Sequence, residues 1–180
     1  MNPANFITLG RLLSVPVSVW LILANEFAAA FWLFLLAGVS DAVDGFIAKR
    51  FDMRTRIGAL LDPVADKTLL VSIYVTLGVA GQLPNWLVIL VVSRDLMIVG
   101  GFLIGQLLAE QRNWQPLFVS KANTALQIVL VVLTLARLGF SFDDHGVDGG
   151  LILVVAATTV LSGGAYLVRW VRSLAGAELL

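Results

Sequence analysis

Asp41 and Asp44 stand in the string SDAVDGFIAKR, at the end of an apolar run that begins near Phe27, and Asp62 and Asp66 stand in GALLDPVADK. Burying one unpaired charge in hydrocarbon costs roughly 2.5–3.5 kcal/mol on insertion scales. Four carboxylates beside apolar runs therefore call for something that offsets that cost. On a helix, positions 41, 44, 45 and 48 share one face, which reads Asp, Asp, Gly, Ala, and positions 58, 62 and 66 share another, which reads Gly, Asp, Asp. If the two helices are consecutive and antiparallel, the four carboxylates converge with only glycine and alanine beside them. Such a cluster stays ionised when cations fill the space between its members. The all-oxygen donor set suits Mg²⁺, Mn²⁺ or Ca²⁺ rather than zinc or copper. Two ions a few ångströms apart are the usual solution for four carboxylates, and such pairs serve phosphoryl transfer. Lys49, Arg50, Arg54 and Arg56 lie just beyond the cluster, suited to holding phosphates. The residues alone predict metals that present a diphosphate at a membrane face.

The elements that must position this cluster follow from the apolar pattern. The chain has 180 residues, 59% of them hydrophobic and 13% charged, well above the roughly 45–50% apolar share of a soluble domain. Windows of about 20 apolar residues cross a hydrocarbon core of about 30 Å. Six such windows occur, approximately 5–24, 28–50, 59–80, 85–108, 121–139 and 151–171. The breaks between them carry turn chemistry: ANEF, FDMRTRI, GQLPN, EQRNWQP and SFDDHGVDGG. Backbone groups in lipid must be satisfied within their own segment, so the spans are expected to be helices. The predicted fold class is an all-α integral membrane protein, a bundle of six transmembrane helices forming a single domain over 1–180. Cysteine is absent, which excludes disulfides, thiolate metal sites and cysteine nucleophiles. The opening MNPANFITLGR lacks the basic and small-residue features of a cleaved secretory signal and is expected to lead into a retained first span.

Orientation follows from lysine and arginine. Lys49, Arg50, Arg54 and Arg56 lie between spans 2 and 3, Arg112 and Lys121 between or at the ends of spans 4 and 5, and Arg169 and Arg172 near the C-terminus. The other three connections hold no Lys or Arg, and the last of them holds Asp143, Asp144 and Asp148. The positive-inside rule places both termini and the aspartate cluster on the cytoplasmic side. Arg137, near the outer end of span 5, is the one exception, and His145 falls in an outer loop on the wrong side for the chemistry. Lys67 is either a snorkelling anchor or a partner to Asp66.

The string Asp41-x2-Asp44-Gly45-x2-Ala48-Lys49-x8-Gly58-x3-Asp62-x3-Asp66 resembles the signature of the CDP-alcohol phosphatidyltransferases, D-x2-D-G-x2-A-R-x8-G-x3-D-x3-D. Seven of its eight fixed positions match within 26 residues; Lys49 stands where the family has Arg. Lysine keeps the charge and loses the bidentate fork. The resemblance implies a homodimeric membrane enzyme of phospholipid synthesis with Mg²⁺ or Mn²⁺, two ions per site. It implies that CDP-diacylglycerol lies with its cytidine near Gly45, Ala48 and Gly58, its diphosphate on the metals and near Lys49. It further implies that Asp41, Asp44 and Asp62 are metal ligands. Asp66 would both touch metal and act as general base on the acceptor hydroxyl. NFITLGRLLSVP is similar to the family's first span, in which Asn5, Thr8 and Arg11 approach the nucleotide site; Ala4 stands where many members have proline.

VSRDLMIVGG puts Arg94 and Asp95 inside span 4, either in contact with substrate or hydrogen-bonded to other spans, and FVSKANTALQ puts Lys121 at an acceptor or substrate phosphate. Within the family, LAGVSDAVDGFIAKR, VVSRDLMIVGG and PLFVSKANTALQ most resemble the eukaryotic-type cardiolipin synthases, whose acceptor is phosphatidylglycerol. The competing branch is phosphatidylglycerolphosphate synthase, with glycerol 3-phosphate as acceptor, which shares the DP-x-ADK and SRD elements. A UbiA-type prenyltransferase would need more spans and a different aspartate pattern. A cation transporter would use an intramembrane aspartate cluster without the adjoining basic loop and paired glycines. The expected setting is a bacterial inner membrane, with lipid substrates as partners and no nucleic acid. Gly100, Gly101, Gly105, Gly163 and Gly164 would permit close helix packing, between subunits or within one.

Overall fold

The computed structural model describes the backbone of residues 3–50, 56–107, 118–142 and 146–177, and the side chains of 10, 12–40, 67–101, 118–142 and 146–169. Six α-helices and no strand occur among them: α1 Pro3–Leu23, α2 Phe27–Arg50, α3 Arg56–Val79, α4 Asn85–Leu107, α5 Phe118–Phe140 and α6 Val147–Ala177. Each expected window coincides with one of these helices. The helix ends differ from the windows most at α6, which begins inside the expected loop and runs beyond residue 171. By length and apolarity, Phe118–Phe140 and Val147–Arg169 are each sufficient to cross a membrane. The apolar stretches of α1, α2 and α3 among the described side chains are shorter, Leu12–Leu23, Phe27–Ser40 and Lys67–Val79, and α4 carries the ionic pair Arg94–Asp95 in its middle.

Two of the tight connections have one construction. α1 ends with the amide of Glu26 donating to the Leu21 carbonyl at 2.8 Å and that of Asn25 to the Ile22 carbonyl at 3.1 Å. α3 ends with Gln82 donating to the Leu77 carbonyl at 2.8 Å and Gly81 to the Gly78 carbonyl at 3.0 Å. This is the Schellman pattern, which needs a left-handed residue just past the helix. Asn25 at φ 61 and Gly81 at φ 71 supply it, asparagine being among the few side chains that tolerate that region.

The chain divides into two compact units, Met1–Val88 with Val131–His145, and Ile89–Leu130 with Gly146–Leu180. In the first, α1 packs along both α2 and α3. Leu69, Leu70, Ile73 and Leu77 form the buried stripe of α3, the 3–4 spacing of a helix with one face inward. Phe31 meets Phe140 edge to face at 5.3 Å. Gly139 lets α5 approach the start of α2 so closely that a Cβ there would lie 2.6 Å from the Ala28 nitrogen. The second unit is built differently. Val91, Leu130 and Val155 are buried in it, yet so are Arg94, Asp95, Ser120, Asn123, Gln127, Thr159 and Ser162.

Candidate active site

The residues expected to act on a nucleotide diphosphate lie on three helices of the first unit. Asn5, Thr8 and Arg11 are on α1; Asp41, Asp44, Gly45, Ala48 and Lys49 on α2; Gly58, Asp62 and Asp66 on α3. Their side chains lie outside those described. Their positions along the helices carry information of their own. Asp44 stands six residues before the end of α2, and Asp62 six residues after the start of α3. Asp41 and Asp66 stand nine and ten residues from the same two ends. At a rise of 1.5 Å per residue these are depths of about 9 Å for the inner pair and about 14–15 Å for the outer pair. Only residues 51–55 separate the helices, and helices joined by so short a link are usually antiparallel neighbours. In that arrangement Asp44 shares a level with Asp62, and Asp41 with Asp66. An all-oxygen set of four carboxylates at two matched levels fits a pair of hard divalent cations. Among the described residues no cluster of Asp, Glu, His or Cys suited to a metal occurs.

Arg94 and Lys121 lie in the second unit, where side chains are described. Arg94 is 3% exposed. Its Nη1 donates to Asp95 Oδ1 at 2.6 Å. Nη2 donates to Ser120 Oγ and to Ser162 Oγ, both at 2.6 Å, and Nε to Ser162 Oγ at 3.2 Å. The guanidinium thus ties α4 to α5 and α6. Of the two roles open to it from sequence, hydrogen bonding to other helices is present. Lys121, the residue after Ser120, is exposed. A second polar joint lies deeper along α5 and α6, where Asn123 Oδ1 accepts from Thr158 at 2.8 Å and Thr159 at 3.0 Å. Lacking a strong hydrophobic drive between helices in lipid, such hydrogen bonds act as interhelical glue. Sequence reasoning did not single out Ser120, Asn123, Thr158, Thr159 or Ser162. The available signal was their helical spacing, 120 to 123 on α5 and 158 or 159 to 162 on α6, within otherwise apolar helices.

Residues 1–165 match the model of one protein family, CDP-alcohol phosphatidyltransferase. The chain belongs to that family. It is 34% identical over 90% of its length to a cardiolipin synthase (CMP-forming)/mitochondrial hydrolase fusion protein of Schizosaccharomyces pombe. The human cardiolipin synthase (CMP-forming) is likewise 34% identical over 90% of the chain. A chloroplastic CDP-diacylglycerol–glycerol-3-phosphate 3-phosphatidyltransferase of rice is 31% identical over 94%. The chain spans 30%, 59% and 57% of these three relatives, respectively. The family match takes in α1 to α5 and more than half of α6, so it includes both the aspartate helices and the Arg94 joint of this CDP-alcohol phosphatidyltransferase.

Proposed function

We propose that the protein transfers a phosphatidyl group from CDP-diacylglycerol to the hydroxyl of phosphatidylglycerol, giving cardiolipin and CMP. The observation that carries this reading is membership of the CDP-alcohol phosphatidyltransferase family, supported by the positions of the four aspartates along α2 and α3, at similar distances from the short link between them. Asp41, Asp44, Asp62 and Asp66 would hold two Mg²⁺ or Mn²⁺ ions. When bound, these ions neutralise the diphosphate and favour departure of CMP as a phosphate dianion. Asn5, Thr8, Gly45, Ala48 and Gly58 line the nucleotide, the small residues leaving room for the cytidine, and Lys49 holds a diphosphate oxygen as a point charge. Arg11 and Lys121 are each proposed to bind an acceptor or substrate phosphate. Asp66 takes the proton of the acceptor hydroxyl. The acceptor oxygen then attacks the phosphorus that bears diacylglycerol, the bond from that phosphorus to the CMP oxygen breaks, and the electron pair leaves with CMP. No covalent enzyme intermediate is needed.

The setting follows the same reading: one domain, six spans, and a homodimer in a bacterial inner membrane, with termini and site cytoplasmic. Three tryptophans support a membrane position for α1, α2 and α4. Trp20 near the end of α1, Trp32 near the start of α2 and Trp86 at the start of α4 are 65%, 56% and 51% exposed. Each stands toward the end of its helix assigned to the outer surface by the positive-inside rule, the level at which indole rings settle between hydrocarbon and water.

A second reading keeps the chemistry and changes the acceptor to glycerol 3-phosphate. Its support is the rice relative, nearly as similar as the cardiolipin synthases. Release of CMP from CDP-diacylglycerol by the purified protein, dependent on a divalent cation and on added acceptor, tests the shared reaction. Cation flux without CMP release would point to a transporter instead.

A further inference from the structure

Arg94 sits where three helices of the second unit meet around a charge. Four of its five N–H groups are directed at Asp95, Ser120 and Ser162. The adjacent carboxylate neutralises it, and at 3% exposure it shows almost no surface to solvent. A guanidinium held in this way has little left to offer an acceptor phosphate. Its partner on α5, Ser120, lies in the first turn of that helix, and the next residue is the exposed Lys121. The bond from Arg94 holds this part of α5 from outside. Ser162 approaches from α6 and takes two of the four donors.

We propose that Arg94 is a positioning residue: clasped by Asp95, Ser120 and Ser162, it fixes the first turn of α5 and so the place from which Lys121 holds the acceptor phosphate. The part that concerns Lys121 and acceptor rests on the function proposed above; the clasp itself does not. The chain has no cysteine, so Lys121→Cys accepts a single spin label in the 180-residue chain in detergent. Ser162→Ala is the informative change, because it is remote in sequence from residue 121 and acts on it only through Arg94. The label at 121 is expected to gain mobility with Ser162→Ala, and equally with Arg94→Lys, which keeps the charge and loses the fork. A label at Leu153→Cys, exposed on α6, is expected to stay unchanged. In the unlabelled enzyme, Ser162→Ala should raise the acceptor KM about tenfold, the worth of one hydrogen bond to a charged group, and leave the KM for CDP-diacylglycerol alone. Lys121→Ala added to Ser162→Ala should cost less than the product of the two single effects. Unchanged mobility at 121 overturns the clasp, as does an equal gain at 153. Multiplying KM effects, or an acceptor KM sensitive to Arg94→Ala yet indifferent to Ser162→Ala, overturn the positioning role. The spin-label arm needs no turnover, so failure of the transferase reading, seen as no CMP release, is separate from failure of this one.

Discussion

The roles proposed for Asp41, Asp44, Asp62 and Asp66 differ, and substitution by asparagine separates them. Asparagine keeps the shape and removes the charge. At Asp41, Asp44 or Asp62 it should weaken metal and nucleotide binding together, seen as a higher divalent-ion requirement and a higher KM for CDP-diacylglycerol in the same titration. Chelator should abolish wild-type activity, and Mg²⁺ or Mn²⁺ should restore it; full turnover in metal-free buffer would remove the metal assignment. Asp66→Asn should instead bind CDP-diacylglycerol nearly normally and lose at least about 10²-fold in turnover, the lower range for loss of a general base. Turnover near wild type would take Asp66 out of that role. These aspartates stand out in the sequence as candidates because carboxylates beside apolar runs are costly and their spacing is helical. Ser120 and Ser162 do not. A serine in an apolar helix costs little and marks nothing by itself, and its meaning appears only when Arg94, 26 and 68 residues away, reaches it.

Helix positions were readable from the apolar windows and the turn residues, since Asn25 and Gly81 end α1 and α3 where the breaks ANEF and GQLPN stand. Close approaches between helices were not readable, because a glycine near a helix end looks like a terminator. Gly139 is such a case. A Cβ there would meet the Ala28 nitrogen at 2.6 Å, the Ala28 Cα at 2.7 Å and the Phe27 carbonyl carbon at 3.0 Å. These are backbone atoms, so relief requires a shift of a whole helix. Alanine should gain up to about 1 kcal/mol of helix propensity at this position, against an overpacking cost of about 1–3 kcal/mol. Gly139→Ala is therefore expected to lower the thermal midpoint in detergent. Gly163→Ala makes the contrast: its Cβ would lie 3.7 Å from Arg94 Cγ, an ordinary contact. The propensity gain then stands unopposed, and the midpoint should hold or rise. Equal midpoints for the two variants would mean that α5 and α2 part easily at Gly139.

At the scale of the whole molecule, charge bears on which acceptor is used. Net charge is zero, yet in the proposed orientation most lysines and arginines fall on the cytoplasmic side, where the site is proposed to receive either acceptor. Glycerol 3-phosphate is a small soluble dianion and calls for several cations in a site open to water. Phosphatidylglycerol brings a singly charged phosphodiester and two acyl chains, and calls for one or two cations near the interface with a lateral opening. Outside the loop after α2, the cations considered for this role are Arg11, Lys67, Arg94 and Lys121. Arg94 bonds Asp95 and two serines; if it serves as the clasp proposed above, the smaller remaining set suits the acceptor with the smaller charge. Purified protein given CDP-diacylglycerol with labelled phosphatidylglycerol is expected to make cardiolipin and CMP in equal amounts. Labelled glycerol 3-phosphate in its place should give little product. Lys121→Ala should raise the acceptor KM about tenfold or more, as for loss of a charge-assisted contact, with the KM for CDP-diacylglycerol unchanged. Turnover with glycerol 3-phosphate alone, and none with phosphatidylglycerol, would move the protein to the phosphatidylglycerolphosphate synthase branch, and the cation count would then have to be met by the basic residues that follow Asp44.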